Sequence, residues 1–498
     1  LIIISRNLRK NINKNNKFYL TVKQQVSKYK YKQLYILFKK LCKYSKNLYN
    51  SALYNIRQYF FNTNKYLNYN NNYHSIKNNI NYKLCEAQIA CNILHIIDES
   101  FKSFFTLKEK GFKCNIPKYL DKNDYFILPT NKIHINKNNE WIIPLSYQIL
   151  KEYNLTLKSK NRFKIKIPTI LKDKKIKYIQ VIPKYKGRIF EIHYTYEINI
   201  NNNIQINNNY LAIDLGVNNL FTCINYSHNS KKKINSFILD GKELKSINQG
   251  YNRIISKLQE KNTNKKLRYT KRMYNILKKR NNKINYYIHK TCKKLINYCL
   301  QNNIKTIVLG WNNDFQRKSN LGRKNNQYFA NIPFSKLKDN LEYRCKMNNI
   351  KFFLQEESFT SKASFLDNDY MLSYKKDEKL GYVLRTINDK VESTYVDIEN
   401  STLKKKYFTG KRVKRGLYKS ENGILINADM NGALNILKKY LLNEEYKQLN
   451  KGKVVSRKIS YEDLIESRDI HNLYEDISTL YCRGALVAPI RIRVRESI

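Results

Sequence analysis

Leu211-Ala212-Ile213-Asp214-Leu215-Gly216-Val217-Asn218-Asn219 is an apolar run broken by one carboxylate and ended by a glycine. It reads as a buried strand that presents Asp214 near its end and then turns sharply. Far downstream, Ile426-Asn427-Ala428-Asp429-Met430-Asn431-Gly432 delivers a second carboxylate. It stands at the mouth of a helix marked by Ala433, Leu434, Ile436 and Leu437. After Asp214 the order reads strand, strand, long helices, strand, helix, strand. Leu244, Ile247, Tyr251, Ile254 and Leu258 mark one helix, and a basic helical stretch over 264–300 follows. Ile304 to Leu309 and Ile350 to Gln355 are the later strands, separated by a basic loop (316–328) and a helix over 334–347. The pattern predicts a mixed α/β sheet. Two Asp residues presented in this way suit a site that holds Mg²⁺ against a phosphodiester.

Composition points in the same direction. The 498 residues include 94 Lys and Arg against 39 Asp and Glu, a formal charge of +55. AT-rich codons account for abundant Lys, Asn, Ile and Tyr. They do not account for scarce Asp and Glu, whose codons tolerate AT-richness nearly as well. Such a field opposes folding and demands a polyanionic partner, with nucleic acid ahead of an acidic membrane surface. No apolar run approaches the ~18 residues that span a bilayer. Cys42, Cys85, Cys91, Cys114, Cys223, Cys292, Cys299, Cys345 and Cys482 contain no CxxC pair. They read as free thiols in a reducing intracellular compartment. A nucleus or a viral replication site stays open as the address, because basic clusters occur throughout and single out neither.

The first hundred residues read as mostly helical. A basic leader and a first short strand at Phe18 to Val22 occupy 1–24. Leu34, Leu37, Phe38, Leu41, Leu48 and Leu53 then fall at helical spacing, as do Ile89, Ile93, Leu94, Ile97, Phe101 and Phe105 after an Asn-rich break over 62–82. This sets a helical domain over 25–110. From 111 to 205 short alternating runs dominate, and the clearest hairpin passes from Tyr178–Ile182 through Lys186-Gly187 into Ile189–Tyr194. A small β-barrel or antiparallel sheet is expected there, followed by an Asn-rich linker.

Five segments stand in order along the chain: "LAIDLGVNNL" (211–220), "NLGRKNNQYFANIPFSKL" (320–337), "EESFTSKASFLDND" (356–369), "RGLYKSENG" (415–423) and "INADMNGALNIL" (426–437). In these the chain resembles the TnpB proteins of bacterial insertion sequences, and still more their eukaryotic and viral relatives, the Fanzor proteins. The resemblance implies an RNA-guided DNA endonuclease with one RuvC-like site, related to type V CRISPR effectors. The implied fold is multidomain, α+β and α/β: a helical recognition lobe, a small wedge barrel, and an RNase H-like RuvC domain. The RuvC-like core would span 206–362 and 424–445, around an insert over 363–423 and before a C-terminal tail over 446–498. Asp214 matches the first RuvC carboxylate and Asp429 the third. For Asp429 a plain helix cap is the competing reading.

The second carboxylate departs from the simplest pattern. Where most such nucleases place a Glu just past the Ile307-Val308-Leu309 strand, this chain has Gly310. The next strand ends in Glu356 and Glu357, and neighbouring strands lie roughly 5 Å apart. A Glu one strand over would reach across Gly310, which has no side chain in the way. Some Fanzor-type relatives carry an alternative Glu ahead of a Thr-Ser pair, here Thr360-Ser361, and Glu357 holds the matching offset. Alternation lets only one of the two face the site. Glu357 is preferred and Glu356 is the alternate. With Asp214 and Asp429, Glu357 would hold two Mg²⁺ about 4 Å apart, an all-oxygen set suited to Mg²⁺.

Bacterial relatives place a four-cysteine zinc ribbon in the insert. Here no Cys occurs between Cys345 and Cys482, so no structural zinc is expected. Packing through Phe365, Leu366, Leu417 and Tyr418 would hold the insert instead. Arg317, Lys318, Arg323, Lys324, Asn325, Asn326 and Gln327 form a polar loop that the resemblance makes a lid over the strand entering the site. Lys411, Arg412, Lys414 and Arg415 suit phosphate contact. The implied partners are an omega-type guide RNA and target DNA, in a monomeric ribonucleoprotein with no membrane. Two other readings stand beside this one: a cleavage-dead RNA-guided DNA binder, for which Gly310 argues, and a guide-independent transposase accessory protein.

Overall fold

Amphipathic periodicity in the first two hundred residues becomes two long helices and an antiparallel sheet. The computed structural model describes residues 17–159, 162–199, 207–227, 234–261, 269–312, 322–369, 373–374, 380–387, 390–397, 408–414, 416–450 and 489–494. The contacts divide the chain into two compact units, 1–200 and 201–498. The basic leader and most of the C-terminal tail lie outside the described residues.

In the first unit β1 (Lys17–Val26) precedes α1 (Lys32–Thr63), α2 (Tyr69–Ile76), α3 (Ile80–Lys83) and α4 (Ala87–Glu109). The apolar positions read from spacing in α1 are all buried, as are Ile89, Ile93, Leu94, Ile97 and Phe101 of α4. The Asn-rich break holds two short helices and is not plain linker. Asn68 accepts from the Asn71 amide and Asn79 from that of Asn81, so these asparagines act as N-caps. Beyond α4 come β2 (Leu128–Thr130), β3 (Glu140–Ile142), α5 (Tyr147–Glu152), β4 (Lys164–Lys166), β5 (Ile176–Lys184) and β6 (Ile189–Asn199). The main sheet has the order β1-β6-β5-β2, and β3 pairs with β4 alone. The expected barrel is therefore an open sheet. β1 and β2 remain its edges, because β2 offers only three residues for pairing.

The second unit begins with the meander β7 (Asn209–Leu215), β8 (Asn219–Ser227) and β9 (Ile234–Asp240), followed by α6 (Lys242–Glu260) and α7 (Lys271–Gln301). β10 (Thr306–Gly310), α8 (Arg323–Asn331), α9 (Phe334–Met347) and β11 (Lys351–Gln355) follow. The second half of the expected basic loop is thus helix α8. Strands β12 (Ser373–Tyr374), β13 (Leu380–Ile387) and β14 (Lys390–Asp397) form one small sheet. β15 (Lys411–Lys414), β16 (Leu417–Lys419) and β17 (Leu425–Asn427) form another. The chain continues through α10 (Ala428–Asn450) to β18 (Ile490–Ile492).

The central sheet has the order β11-β10-β7-β8-β9-β18. Only β8 runs against the other strands. Alternation sorts its residues onto two apolar layers. Leu211, Ile213, Ile307 and Leu309 pack with α7 and α9 on one face. Ala212, Val308 and Ile238 pack with α10 on the other. By the same alternation Asp214 and Gly310 belong to the α10 face. Phe365 and Tyr418 are buried in that layer with Leu366 packed against it, which ties the insert down as expected. Leu417 is not part of it.

Candidate active site

Asp214 is the last but one residue of β7, on the face that α10 covers. The two elements approach closely because α10 has Gly432 at the contact: a Cβ there would lie 3.0 Å from Asp214 Oδ2. A comparable approach occurs one strand over, where a Cβ on Gly310 would lie 3.0 Å from Glu357 Oε2 and 2.5 Å from Ile436 Cδ1. Glycine at both positions leaves the space the carboxylates occupy. β10 and β11 are neighbours, with Gly310 opposite Gln355, and Glu357 reaches back over Gly310.

The segment carrying Glu357 is held at its backbone. Its N–H donates to Asn312 Oδ1 at 3.3 Å, and the Thr360 hydroxyl donates to its carbonyl at 2.9 Å. Farther along, Asn431 accepts from the Phe365 amide at 2.9 Å and donates to the Ala363 carbonyl at 2.7 Å. Asn435 donates to the Thr360 and Ala363 carbonyls at 2.9 and 2.8 Å. Asn431 and Asn435 are fully buried, one turn apart on α10.

Glu356 and Glu357 have different surroundings. Glu356 pairs with the buried Lys439 of α10 and accepts from the Ser358 amide at 2.9 Å. Since β11 ends at Gln355, strand alternation does not separate the two; Lys439 does.

Asp429 lies in the first turn of α10. It does not cap the helix. Asn427 does, accepting from the Asp429 and Met430 amides at 3.1 and 3.3 Å. The Asp429 carboxylate instead accepts from Asn219 Nδ2 at 2.5 Å and lies 3.7 Å from the Arg412 guanidinium. Arg491 of β18 donates to Asn219 Oδ1 at 2.5 Å. Sequence reasoning missed Asn219, Asn427 and Arg491. Asn219 closes the very stretch that carries Asp214, which was the available signal.

The electrostatics agree with this crowding. Burial, then the nearby charges of Glu357 and Asp429, push the Asp214 carboxyl well above its ordinary range. Burial and the neighbouring Glu356 push Glu357 up to about 7. Among the described residues no group of three His, Cys, Asp or Glu side chains stands close enough together to hold a metal ion. In chemistry the three carboxylates are hard oxygen donors, the kind a divalent cation such as Mg²⁺ takes. Burial sets the Asp214 carboxyl against the charges of Glu357 and Asp429, and Gly310 and Gly432 make room for the Glu357 and Asp214 carboxylates.

Of the expected nucleic-acid contacts, Lys411 and Lys414 are exposed on β15 and Arg412 is drawn into the site. Asn326 and Gln327 lie on α8, half-buried and exposed. Arg317, Lys318 and Arg415 lie outside the described residues, and so do the side chains of Arg323, Lys324 and Asn325. No helix among the described residues is long and apolar enough to cross a membrane.

Residues 193–315 match the family model OrfB_IS605, "Probable transposase", in agreement with the resemblance drawn from the motifs. Two solved structures are similar along most of the chain. One is a cryo-EM structure of a Cas12f1-sgRNA-target DNA complex, 16% identical over 82% of this chain and 83% of that one, with a TM-score of 0.47. The other is a cryo-EM structure of a CRISPR-Cas12f ternary complex, 17% identical over 82% of each chain, with a TM-score of 0.31. No curated protein matches the chain.

Proposed function

We propose that this chain is an RNA-guided DNA endonuclease with an Mg²⁺-dependent RuvC-like site made of Asp214, Glu357 and Asp429. The observation that carries the reading is the buried meeting of carboxylates over Gly310 and Gly432. The strand order supports it. Counted by sequence from β7 and leaving aside the edge strand β18, the sheet runs three, two, one, four, five with the second strand reversed, the arrangement expected of an RNase H-like core.

Asp214, Glu357 and Asp429 would hold the metal. Bound there, two Mg²⁺ ions would supply Lewis acidity for an attacking water and for the leaving 3′ oxygen. The chain's own groups set the stage. Asn219 fixes one Asp429 oxygen, Asn312 and Thr360 fix the backbone of Glu357, and Lys439 keeps Glu356 aside. Lys411 and Lys414 offer exposed charge for phosphate. Guide RNA and target DNA are the polyanions that a formal charge of +55 requires, and pairing with the guide, not side-chain readout, selects the sequence.

The test is to express the chain with its native flanking DNA and sequence the RNA that survives nuclease treatment after purification. A discrete RNA running from the element's end into neighbouring sequence is expected, and a matched duplex should be cut with Mg²⁺. Asp214→Ala, Glu357→Ala and Asp429→Ala should each abolish cutting while target retention persists. Heterogeneous RNA, or none, overturns the guided reading. A cleavage-dead binder is the second reading, and it rests on Gly310 standing where a Glu is usual. A wild type that retains target but never cuts would establish it.

A further inference from the structure

β18 joins the central sheet beside β9 as a three-residue parallel edge strand. So short a ladder supplies few hydrogen bonds, and side chains do the rest. Ile492 and Val494 are buried in the core layer with Phe237 and Leu239, and Lys294 of α7 donates to the Arg493 carbonyl at 2.9 Å. The third anchor is Arg491, whose Nη1 donates to Asn219 Oδ1 at 2.5 Å.

That bond reinforces the facing of the Asn219 amide from its oxygen side. An asparagine offers an acceptor oxygen on one side and a donor nitrogen on the other. With the oxygen taken by a guanidinium, the nitrogen is turned to Asp429, where it donates to Oδ2 at 2.5 Å. Without Arg491 the Asn219 oxygen loses its guanidinium, and the bond to Asp429 alone is left to hold the amide in place.

We infer that β18 is a latch that completes the active site. Arg491 acts through Asn219 to orient Asp429, so both are positioning residues and the metal affinity of the site depends on the docked strand. The inference rests on the reading of Asp214, Glu357 and Asp429 as metal ligands. Partners of ligating carboxylates typically change metal affinity about 10–100-fold when removed.

The experiment measures Mn²⁺ binding to the full chain by electron paramagnetic resonance of free Mn²⁺, with Asp214→Asn defining the signal that belongs to the site. Target retention and melting temperature are recorded in parallel. Arg491→Ala and Asn219→Ala should weaken that binding about tenfold or more. Arg491→Lys, which keeps a cationic donor for Asn219, should recover much of it. Retention and melting should stay near wild type. Unchanged Mn²⁺ affinity in Arg491→Ala overturns the latch. So does an equal loss in the Ala and Lys variants that follows a fall in melting temperature, since that marks a merely structural strand. A wild type with no Asp214-dependent Mn²⁺ signal overturns the metal reading itself, and the latch with it.

Discussion

Glu357 has a carboxyl pushed up to about 7 by burial and by Glu356, against an ordinary value of 4.5. Between those values the folded chain holds a proton that the unfolded chain releases. This group therefore lowers stability as pH rises through that window. Glu357→Gln removes the titration. In metal-free buffer its melting temperature should match wild type near pH 4.5 and exceed it by a few degrees near pH 8. A difference independent of pH would remove the electrostatic account of the site. Gly310 gives a second expectation. Gly310→Ala should cost about 1–3 kcal/mol by overpacking, because the new methyl meets Ile436 Cδ1 at 2.5 Å. Adding Ile436→Val, which trims that methyl, should recover part of the loss in urea denaturation. At this scale the sequence was legible where chemistry is local. Asp214 lies near the end of an apolar strand, Asp429 lies at the start of an apolar helix, and the choice of Glu357 came from the resemblance, through its offset from Thr360-Ser361. Asn219 and Arg491 were not legible, because they meet across 272 positions of chain.

Among the elements, α10 has the most demanding task, since its buried face carries polar as well as apolar groups. Asn431 and Asn435 replace the ladder bonds that the backbone of Thr360 to Phe365 lacks. Asn435→Ala strands the Thr360 carbonyl in a buried place, at a cost of about 1–3 kcal/mol. Thermal melting should fall accordingly. Cleavage should fall more than target retention, because the loosened segment begins at Glu357. Equal losses in the two would show that the segment does not set the site. Periodicity revealed the long helices and the longer strands, among them β1, β5, β6, β7, β10 and β11, but not the short strands of the insert or β18. It failed for α8, whose polar residues gave no apolar stripe, and for α2 and α3, where asparagine caps resemble asparagine linker. It also left barrel and open sheet indistinguishable. Period-two alternation reports faces, whereas closure depends on edge pairing that β2 is too short to extend.

For the whole molecule, the formal charge of +55 is the property that packing does not use. Among the described residues, ion pairs such as Lys164 with Glu140 and Lys177 with Glu197 engage only part of the basic complement. Such surface pairs contribute little to stability. On the proposed reading the excess is a binding device, and its strength should depend on the number of phosphates contacted. Each contact releases condensed counterions, so the logarithm of affinity falls linearly with the logarithm of salt, with a slope of about −0.7 per phosphate for single strands and −0.9 for duplex DNA. RNA binding by the purified chain, titrated from 100 mM to 1 M NaCl, should fall with a steep slope worth several phosphates, while melting of the RNA-free protein moves little. Lys411→Ala with Lys414→Ala should reduce the slope for the guided complex on duplex target by about two contacts without changing its sequence preference. A shallow slope, or one unaffected by this pair, would place the phosphate path elsewhere than along β15.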